Sequence, residues 1–326
     1  MDGPLLTLAI PTYNRSGWLD TCLREMAPQV RAHGPRVELL ISDNASTDDT
    51  GEVIARHVQA GTPIRHLRNP ENIGPDRNFA QCLREAQGKY LLLFGDDDVL
   101  LEGALDKLLP VLEAGNPGVV YLRGYAFKED FRRERPRKPP HQRILRYRSP
   151  RAFAAKVNVL FTFISGNVIN RSLLPPDFDP GAYLSTNLVQ LSWTLKAAQR
   201  AEENVFYDDF LVAAKADNSG GYAFCQVFGV NMDRIFRLME AEGEDPRAFR
   251  AIHRRTLSSF FPRWILGLRE KGEAFQREDH FHTLGPIFRG YFAYWWLVWP
   301  AARWPLALAR PWIGFWRHLV KLLHRL

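Results

Sequence analysis

The sequence predicts an α/β fold: a mostly parallel sheet with helices on both faces, followed by a helical, amphipathic C-terminal region. Three observations predict it. Short apolar runs alternate with segments of helical spacing through residues 5–113, which is the pattern of βαβ units. Polar clusters follow the apolar runs closely, as they do where a parallel sheet carries a site at its carboxyl edge. The 326 residues are 46% hydrophobic and 24% charged, enough to build one large domain or two modest ones. That composition excludes a disordered tail, a collagen-like fibre and a small disulfide scaffold.

Each element follows from local pattern. Residues 5–10 form an apolar run closed by Pro11, read as a buried strand. Residues 16–30 have helical spacing, with Ser16 as N-cap. Residues 37–42 read as a second strand, 47–57 as a helix capped by Thr and Asp, and 64–67 as a short strand. Residues 76–86 read as a helix stopped by Gly88, 90–94 as an almost wholly apolar strand and 103–113 as another helix. Beyond a strand at 119–122, the Arg/Pro-rich stretch 132–143 has no apolar period and reads as an exposed loop. A helix at 150–157, a strand around 161–169, a helix at 186–198 and a strand within 205–213 complete a first domain, 1–220. The remainder, 221–326, is helical, then aromatic and basic.

Lys and Arg number 43 against 36 Asp and Glu, a net charge of +7. The excess is concentrated. Residues 131–151 hold nine Lys/Arg against Glu134 alone, and residues 280–326 hold six and no acid, which leaves the rest of the chain net acidic. Six of the nine tryptophans lie in the second stretch. A basic, Trp-rich end suggests an anionic surface, membrane or nucleic acid. Cys22, Cys82 and Cys225 are odd in number, far apart and without metal or redox spacing, so they read as reduced structural cysteines of a cytosolic protein. The N-terminus lacks the basic-then-apolar pattern of a signal peptide. The longest apolar stretch, 291–302, is too short to span a bilayer and contains a proline.

The polar clusters carry the chemistry. Asp96, Asp97 and Asp98 follow a buried apolar strand. Three adjacent carboxylates repel one another unless a cation sits among them, and oxygen-only ligands suit Mg²⁺ or Mn²⁺, ions that also bind substrate phosphates. A plain acidic turn is the alternative. Asp43, after the second strand, starts an Asx turn or contacts a ligand. His280-Phe281-His282 has a spacing found in metal sites, but the sequence around it offers no further ligands. Neither a Gly-x-Ser-x-Gly elbow nor a Walker lysine occurs.

The stretches AIPTYNR, LLISDNASTDDT, NPENIGPDRNFAQCL and GKYLLLFGDDDVL, in this order and spacing, resemble the nucleotide-sugar-binding half of family 2 glycosyltransferases with the Rossmann-like GT-A fold. The resemblance covers residues 5–110 and continues more weakly to 220. It implies inverting transfer of a sugar from a nucleoside diphosphate sugar to an acceptor hydroxyl, with Mn²⁺ or Mg²⁺ stabilising the leaving diphosphate. By position it implies that Pro11, Tyr13 and Asn14 line the nucleoside pocket and that Asp43 hydrogen-bonds the base. Arg77 falls near the pyrophosphate, Asp96 near the ribose and Asp97 on the metal. Gly95 stands where many relatives have the leading acid, so the metal pair is left open among Asp96, Asp97 and Asp98.

Relatives usually take the catalytic base from an acidic pair at the start of a helix in the second half. The corresponding residues here, 183–190, contain no acid. Asn187 and Gln190 are suited to position an acceptor, and Asp179 and Asp98 are the substitute bases, Asp179 being equally a turn residue. Ser165, Gly166 and Asn167, with 186–190, are similar to abequosyltransferase-like enzymes of O-antigen assembly, which implies contacts to sugar and acceptor. The alternative for Gly166 is a strand bulge. Lys215 and Asn218 fall where relatives cover the diphosphate with a basic loop; a solvated lysine is the alternative.

In the tail, Trp295, Trp296, Trp299, Trp304, Trp312 and Trp316 accompany Arg317, Lys321 and Arg325 at i, i+4 spacing, the pattern of an interfacial helix. The expected partners are therefore a nucleoside diphosphate sugar, a glycan or lipid-linked oligosaccharide acceptor and the cytoplasmic face of the inner membrane, as a peripheral protein, and not nucleic acid. A helix packed on its own body or in a homo-oligomer is the alternative for the tail. The Arg-rich loop is either solvated or reaches an acceptor pyrophosphate or lipid head groups. A non-catalytic sugar-nucleotide-binding or membrane scaffold protein is the rival function, motivated by the missing base.

Overall fold

A computed structural model describes residues 3–137, 141–216, 221–271 and 278–323. The chain divides into two compact units, one of Met1–Phe153 and Leu160–Ala216, the other of Ala154–Val159 and Asp217–Leu326.

The first unit begins with the alternating elements β1 (Leu6–Thr12), α1 (Ser16–His33), β2 (Val37–Asp43), α2 (Thr50–Gln59), β3 (Ile64–Arg68), α3 (Pro75–Glu85) and β4 (Tyr90–Leu93). There follow β5 (Val99–Leu100), α4 (Ala104–Glu113), β6 (Val119–Phe127), β7 (Arg143–Tyr147), α5 (Pro150–Val157), β8 (Asn167–Asn170), α6 (Gln190–Arg200) and β9 (Asn204–Lys215). The sheet order is β3-β2-β1-β4-β8-β6-β9-β5, with β7 on β9. β1 to β4 are parallel to one another, while β8 runs antiparallel between β4 and β6. The wholly buried β1 and β4 need apolar residues on both faces, and helices cover both: α1 packs with α2 and α4, and α3 with α6. The strand order reverses between β1 and β4. That is a topological switch point, where loops leave the sheet in opposite directions and open a crevice at the carboxyl edge. Because β8 is antiparallel, its beginning reaches the same edge, as does the end of β9.

Four sequence expectations differ from the structure. Ser16 does not cap α1; Arg15 holds the cap position, and the Ser16 N–H donates to Asp48 from the neighbouring loop. Residues 161–166 are turns rather than strand, because β8 starts only at Asn167. The Asn167 side-chain amide donates to the carbonyls of Phe161 and Phe163 and holds the turn closed. The helix expected from 186 begins at Gln190, since Ser185 and Asn187 adopt left-handed φ values of 62° and 57°. Within the basic stretch, β7 pairs antiparallel with β9, and Arg146 pairs with Glu203. Arg143 and Arg146 hid a strand, and the partner of Arg146 comes from elsewhere in the chain.

The second unit contains α7 (Met232–Ala241), α8 (Pro246–Arg255), α9 (Phe261–Lys271), α10 (His280–Phe288), α11 (Trp299–Arg303) and α12 (Leu306–Leu323). Its core is aromatic, with Phe224, Phe261, Phe288, Tyr294 and Ile313 buried. No helix among the described residues is long and apolar enough to cross a membrane.

Candidate active site

Three loops meet at the switch point. From the end of β1, the Thr12 hydroxyl donates to Asp96 Oδ2 at 2.8 Å, and Arg15 Nη1 lies 2.8 Å from Asp96 Oδ1 and 3.3 Å from Asp97 Oδ2. From the turn before β8, the Ser165 hydroxyl donates to Asp98 Oδ2 and accepts the Gly95 N–H at 2.8 Å. From the end of β9, the Lys215 backbone N–H donates to Asp98 Oδ1 at 2.9 Å. Asp96 and Asp98 are thus buried and saturated with donors, while the Asp97 side chain keeps 16% exposure. A Cβ at position 95 would lie 2.9 Å from Asp97 Oδ1 and 3.0 Å from Asp98 Oδ2, so glycine leaves the carboxylates their space.

The charges are incompletely balanced. Burial pushes the Asp96 carboxyl up to about 6 despite Arg15, and burial with the adjacent Asp97 charge pushes Asp98 up to about 7. Among the described residues Arg15 brings a positive charge to the three carboxylates, and every candidate ligand atom is oxygen. A divalent hard cation fits that deficit, with Asp97 the accessible ligand and Asp96 and Asp98 flanking it.

The nucleoside side is equally built. Asn14, at φ 51°, donates its N–H to Ser46 Oγ and accepts from the Thr47 N–H, tying the β1 and β2 loops together. Asp43 is wholly buried, accepting from the Ser46 N–H at 2.8 Å and facing Arg68 at 3.2 Å. Pro11 lies in β1 opposite Ser42, Tyr13 is 42% exposed, and Arg77 is exposed and unpaired among the described residues.

The family model for glycosyl transferase family 2 matches residues 7–175, more than half of the chain. The chain belongs to this family. Abequosyltransferase RfbV of Salmonella typhimurium is 40% identical over 111 residues, covering 34% of this chain and 33% of the relative. The GalNAc(5)-diNAcBac-PP-undecaprenol beta-1,3-glucosyltransferase of Campylobacter jejuni is 30% identical over 122 residues, 37% of this chain and 38% of the relative. The matches span about a third of the length of these curated relatives. Staphylococcus aureus TarS in complex with UDP has a TM-score of 0.56 at 16% identity, covering 81% of this chain and 78% of that chain. A mannosyltransferase from Pyrobaculum calidifontis in complex with GDP-Man and Mn²⁺ has a TM-score of 0.55 at 15% identity, covering 98% of this chain and 85% of that chain. The fold is therefore the GT-A fold of family 2 glycosyltransferases.

The remaining family-derived positions fall in different places. Ser165 is buried in the carboxylate site, where its hydroxyl donates to Asp98. Gly166 is packed beneath the rings of Phe163 and Tyr121, and no strand bulge occurs there. Asn167 and Gln190 are buried and line one small internal cavity of about 10 Å³. Asp179 caps the turn Pro180–Tyr183 by accepting the Gly181 N–H, the turn role. The Lys215 ammonium donates to the carbonyl of Lys128 and lies 4.9 Å from the Trp18 ring centroid. Asn218 lies outside the described residues.

Two residues that pattern reading gave no role stand out. Arg15 supplies the protein's own cation at the acidic cluster; its position directly after the first strand was the only signal. Asp76, in the first turn of α3, accepts the backbone N–H groups of Thr186 and Asn187 at 2.8 and 3.0 Å. Its second oxygen is buried with no hydrogen-bond partner among the described residues, and burial pushes its carboxyl up. Only the folded chain reveals this, because Asp76 is more than 100 residues away from its partners in sequence.

Proposed function

We propose that this protein is an inverting glycosyltransferase that moves a sugar from a nucleoside diphosphate sugar to a glycan hydroxyl during surface-polysaccharide assembly. The observation that carries the reading is the oxygen-only cluster of Asp96, Asp97 and Asp98 at the switch point of the sheet, with the Asp96 and Asp98 carboxyls raised by burial. The family, and relatives named for abequosyl transfer and for an undecaprenol-diphosphate-linked acceptor, support a polyprenyl-diphosphate-linked acceptor. The solved relatives bound to UDP and to GDP-Man with Mn²⁺ support a nucleotide donor and a divalent ion.

The chain's residues divide the work. Tyr13 offers an exposed ring to the base, and Asn14 and Asp43 shape the pocket through the β2 loop. Arg77, unpaired, and Lys215 face developing negative charge on the diphosphate. A divalent cation, when bound by Asp97 with Asp96 and Asp98, supplies electrostatic stabilisation of the departing diphosphate. Arg15 orients Asp96 and Asp97 and lowers their mutual repulsion. On the acceptor side, residues 183–190 contain no acid, but Asp76 touches them from α3. We assign the hydroxyl proton to Asp76 Oδ1, which is covered in this structure and reached by an acceptor once residues 185–187 shift, in preference to Asp179, which is committed to its turn. Burial raises this carboxyl, which makes it a stronger proton acceptor than an ordinary exposed aspartate.

The test is transfer, and slow sugar-nucleotide hydrolysis, with Mn²⁺ and lipid-linked oligosaccharide acceptors. Asp97→Ala should abolish both. Asp76→Asn should keep nucleotide binding and lower kcat by about 10²–10⁴-fold. Nucleotide binding without turnover on any acceptor would favour a non-catalytic sugar-nucleotide-binding protein, and unchanged kcat in Asp76→Asn would remove it as base.

A further inference from the structure

A second cluster lies in the C-terminal unit, built from residues that the carboxylate site does not use. Cys225, Glu278 and His280 each direct one ligand atom to a common point, with all three atoms within 4.8 Å of one another. Cys225 Sγ lies 3.5 Å from His280 Nδ1, and Glu278 Oε1 lies 3.7 Å from the same nitrogen. With Zn–S bonds of about 2.3 Å and Zn–N or Zn–O bonds of about 2.0–2.1 Å, tetrahedral edges are about 3.6 Å for S···N and about 3.3 Å for N···O. The observed separations lie within about 0.4 Å of both edges.

The surroundings are those of a built site. The Cys225 side chain is wholly buried, and Glu278 and His280 side chains are 8% and 17% exposed. The Glu278 carboxylate accepts the backbone N–H groups of Cys225 and Gln226, which fix its direction while leaving lone pairs free. Convergence of both Cys225 and Glu278 on Nδ1 of His280 is not the arrangement of a nucleophile, base and orienting acid, which would use opposite ring nitrogens. His282 takes no part, since its Nδ1 is engaged by Asp279 at 2.7 Å.

We propose that Cys225, Glu278 and His280 bind a thiophilic divalent cation, with Zn²⁺ the best fit, and that it fastens the start of the C-terminal unit to the N-terminus of α10. Binding replaces the thiol proton, which passes to solvent, and forms Sγ–metal, Nδ1–metal and Oε–metal bonds, with water completing the tetrahedron. The site differs in kind from the aspartate cluster, because thiolate and imidazole prefer Zn²⁺ whereas a set of carboxylates suits Mg²⁺ or Mn²⁺.

The experiment uses the full-length chain, stripped with chelator and titrated with Co²⁺ and then Zn²⁺. A thiolate-to-cobalt charge-transfer band saturating at one equivalent, and displaced by Zn²⁺, is expected in the wild type and in Asp97→Ala. It should be absent in Cys225→Ser and weakened at least tenfold in affinity in His280→Ala. Absence of the band in the folded wild type overturns the proposal without recourse to any variant. So does an unchanged band in Cys225→Ser, or its loss in Asp97→Ala with retention in Cys225→Ser.

Discussion

At the scale of single residues, the aspartate cluster makes a proton reservoir. Asp96 and Asp98 ionise near pH 6 and 7 in the folded chain, but near the ordinary carboxylate value of 3.8 once unfolded. Between about pH 4 and 7 the folded state therefore binds more protons than the unfolded state, and stability falls as pH rises through that window. A divalent cation replaces those protons. We expect the melting temperature in chelator to decline from pH 4.5 to 7.5 on account of this site, and saturating Mn²⁺ to restore it most at the upper end. Mn²⁺ affinity should weaken below about pH 6, as protons compete. A Mn²⁺-induced shift in melting temperature that is the same at pH 5 and pH 7.5 would contradict this account of the site. Arg15 offsets part of the repulsion within the cluster: one guanidinium touches two of the three carboxylates.

At the scale of elements, β8 shows how position separates support from contact. The turn that precedes it delivers Ser165 to Asp98, and it closes tightly only because residue 166 lacks a side chain. An added Cβ would lie 2.8 Å from the Phe163 ring and 3.0 Å from that of Tyr121. Gly166→Ala should therefore cost about 1–3 kcal/mol in stability through overpacking. It should alter acceptor KM little, as a denaturant titration beside steady-state kinetics would establish; a large KM effect at unchanged stability would return Gly166 to the acceptor surface. The parallel elements were legible in sequence because their apolar periods are clean: strands at 5–10, 37–42, 64–67 and 90–94 all appear within a few residues as β1 to β4. The carboxylate cluster was legible for the same reason, since strand ends dictate where it lies. The surroundings of residues 183–190 were not. Asp76 touches its partners across a long sequence separation, Ser185 and Asn187 take left-handed conformations that no pattern of apolar residues encodes, and β7 carries Arg146, whose partner Glu203 is remote. Likewise, Cys225 and His280 meet only after the C-terminal helices pack.

At the scale of the whole molecule, the basic and aromatic tail resolves into two populations. Trp296, Trp304, Trp312 and Trp316 pack against the core of the second unit, and the Trp312 indole donates to the Trp296 carbonyl at 2.9 Å. Phe292, Trp295, Trp299, Leu308 and Phe315 remain exposed, between 37% and 73%. Arg317 is partly buried, and the Lys321 side chain lies outside the described ones. The tail thus serves its own unit with one set of aromatics and leaves the other set uncovered, in a segment rich in arginine and free of acids over residues 280–326. We propose that this uncovered set, with its cations, rests on an anionic membrane where a lipid-linked acceptor resides. Truncating the tail is a poor test, because it would delete the buried Tyr294 and Ile313 with it. Substituting Phe292, Leu308 and Phe315, the three most exposed of the set, together by Ser removes mainly exposed apolar surface and spares the Trp295 indole, which donates to the Arg289 carbonyl. Flotation with vesicles containing anionic lipid should fall by on the order of tenfold or more in that variant, with an unchanged melting temperature and unchanged transfer to a water-soluble acceptor analogue. Trp312→Ser should instead lower the melting temperature, since its ring is packed between Trp296 and Trp316. Equal flotation of the triple variant and the wild type would mean that the exposed aromatics do not hold the protein at a lipid surface, and the acceptor would then have to be met from solution.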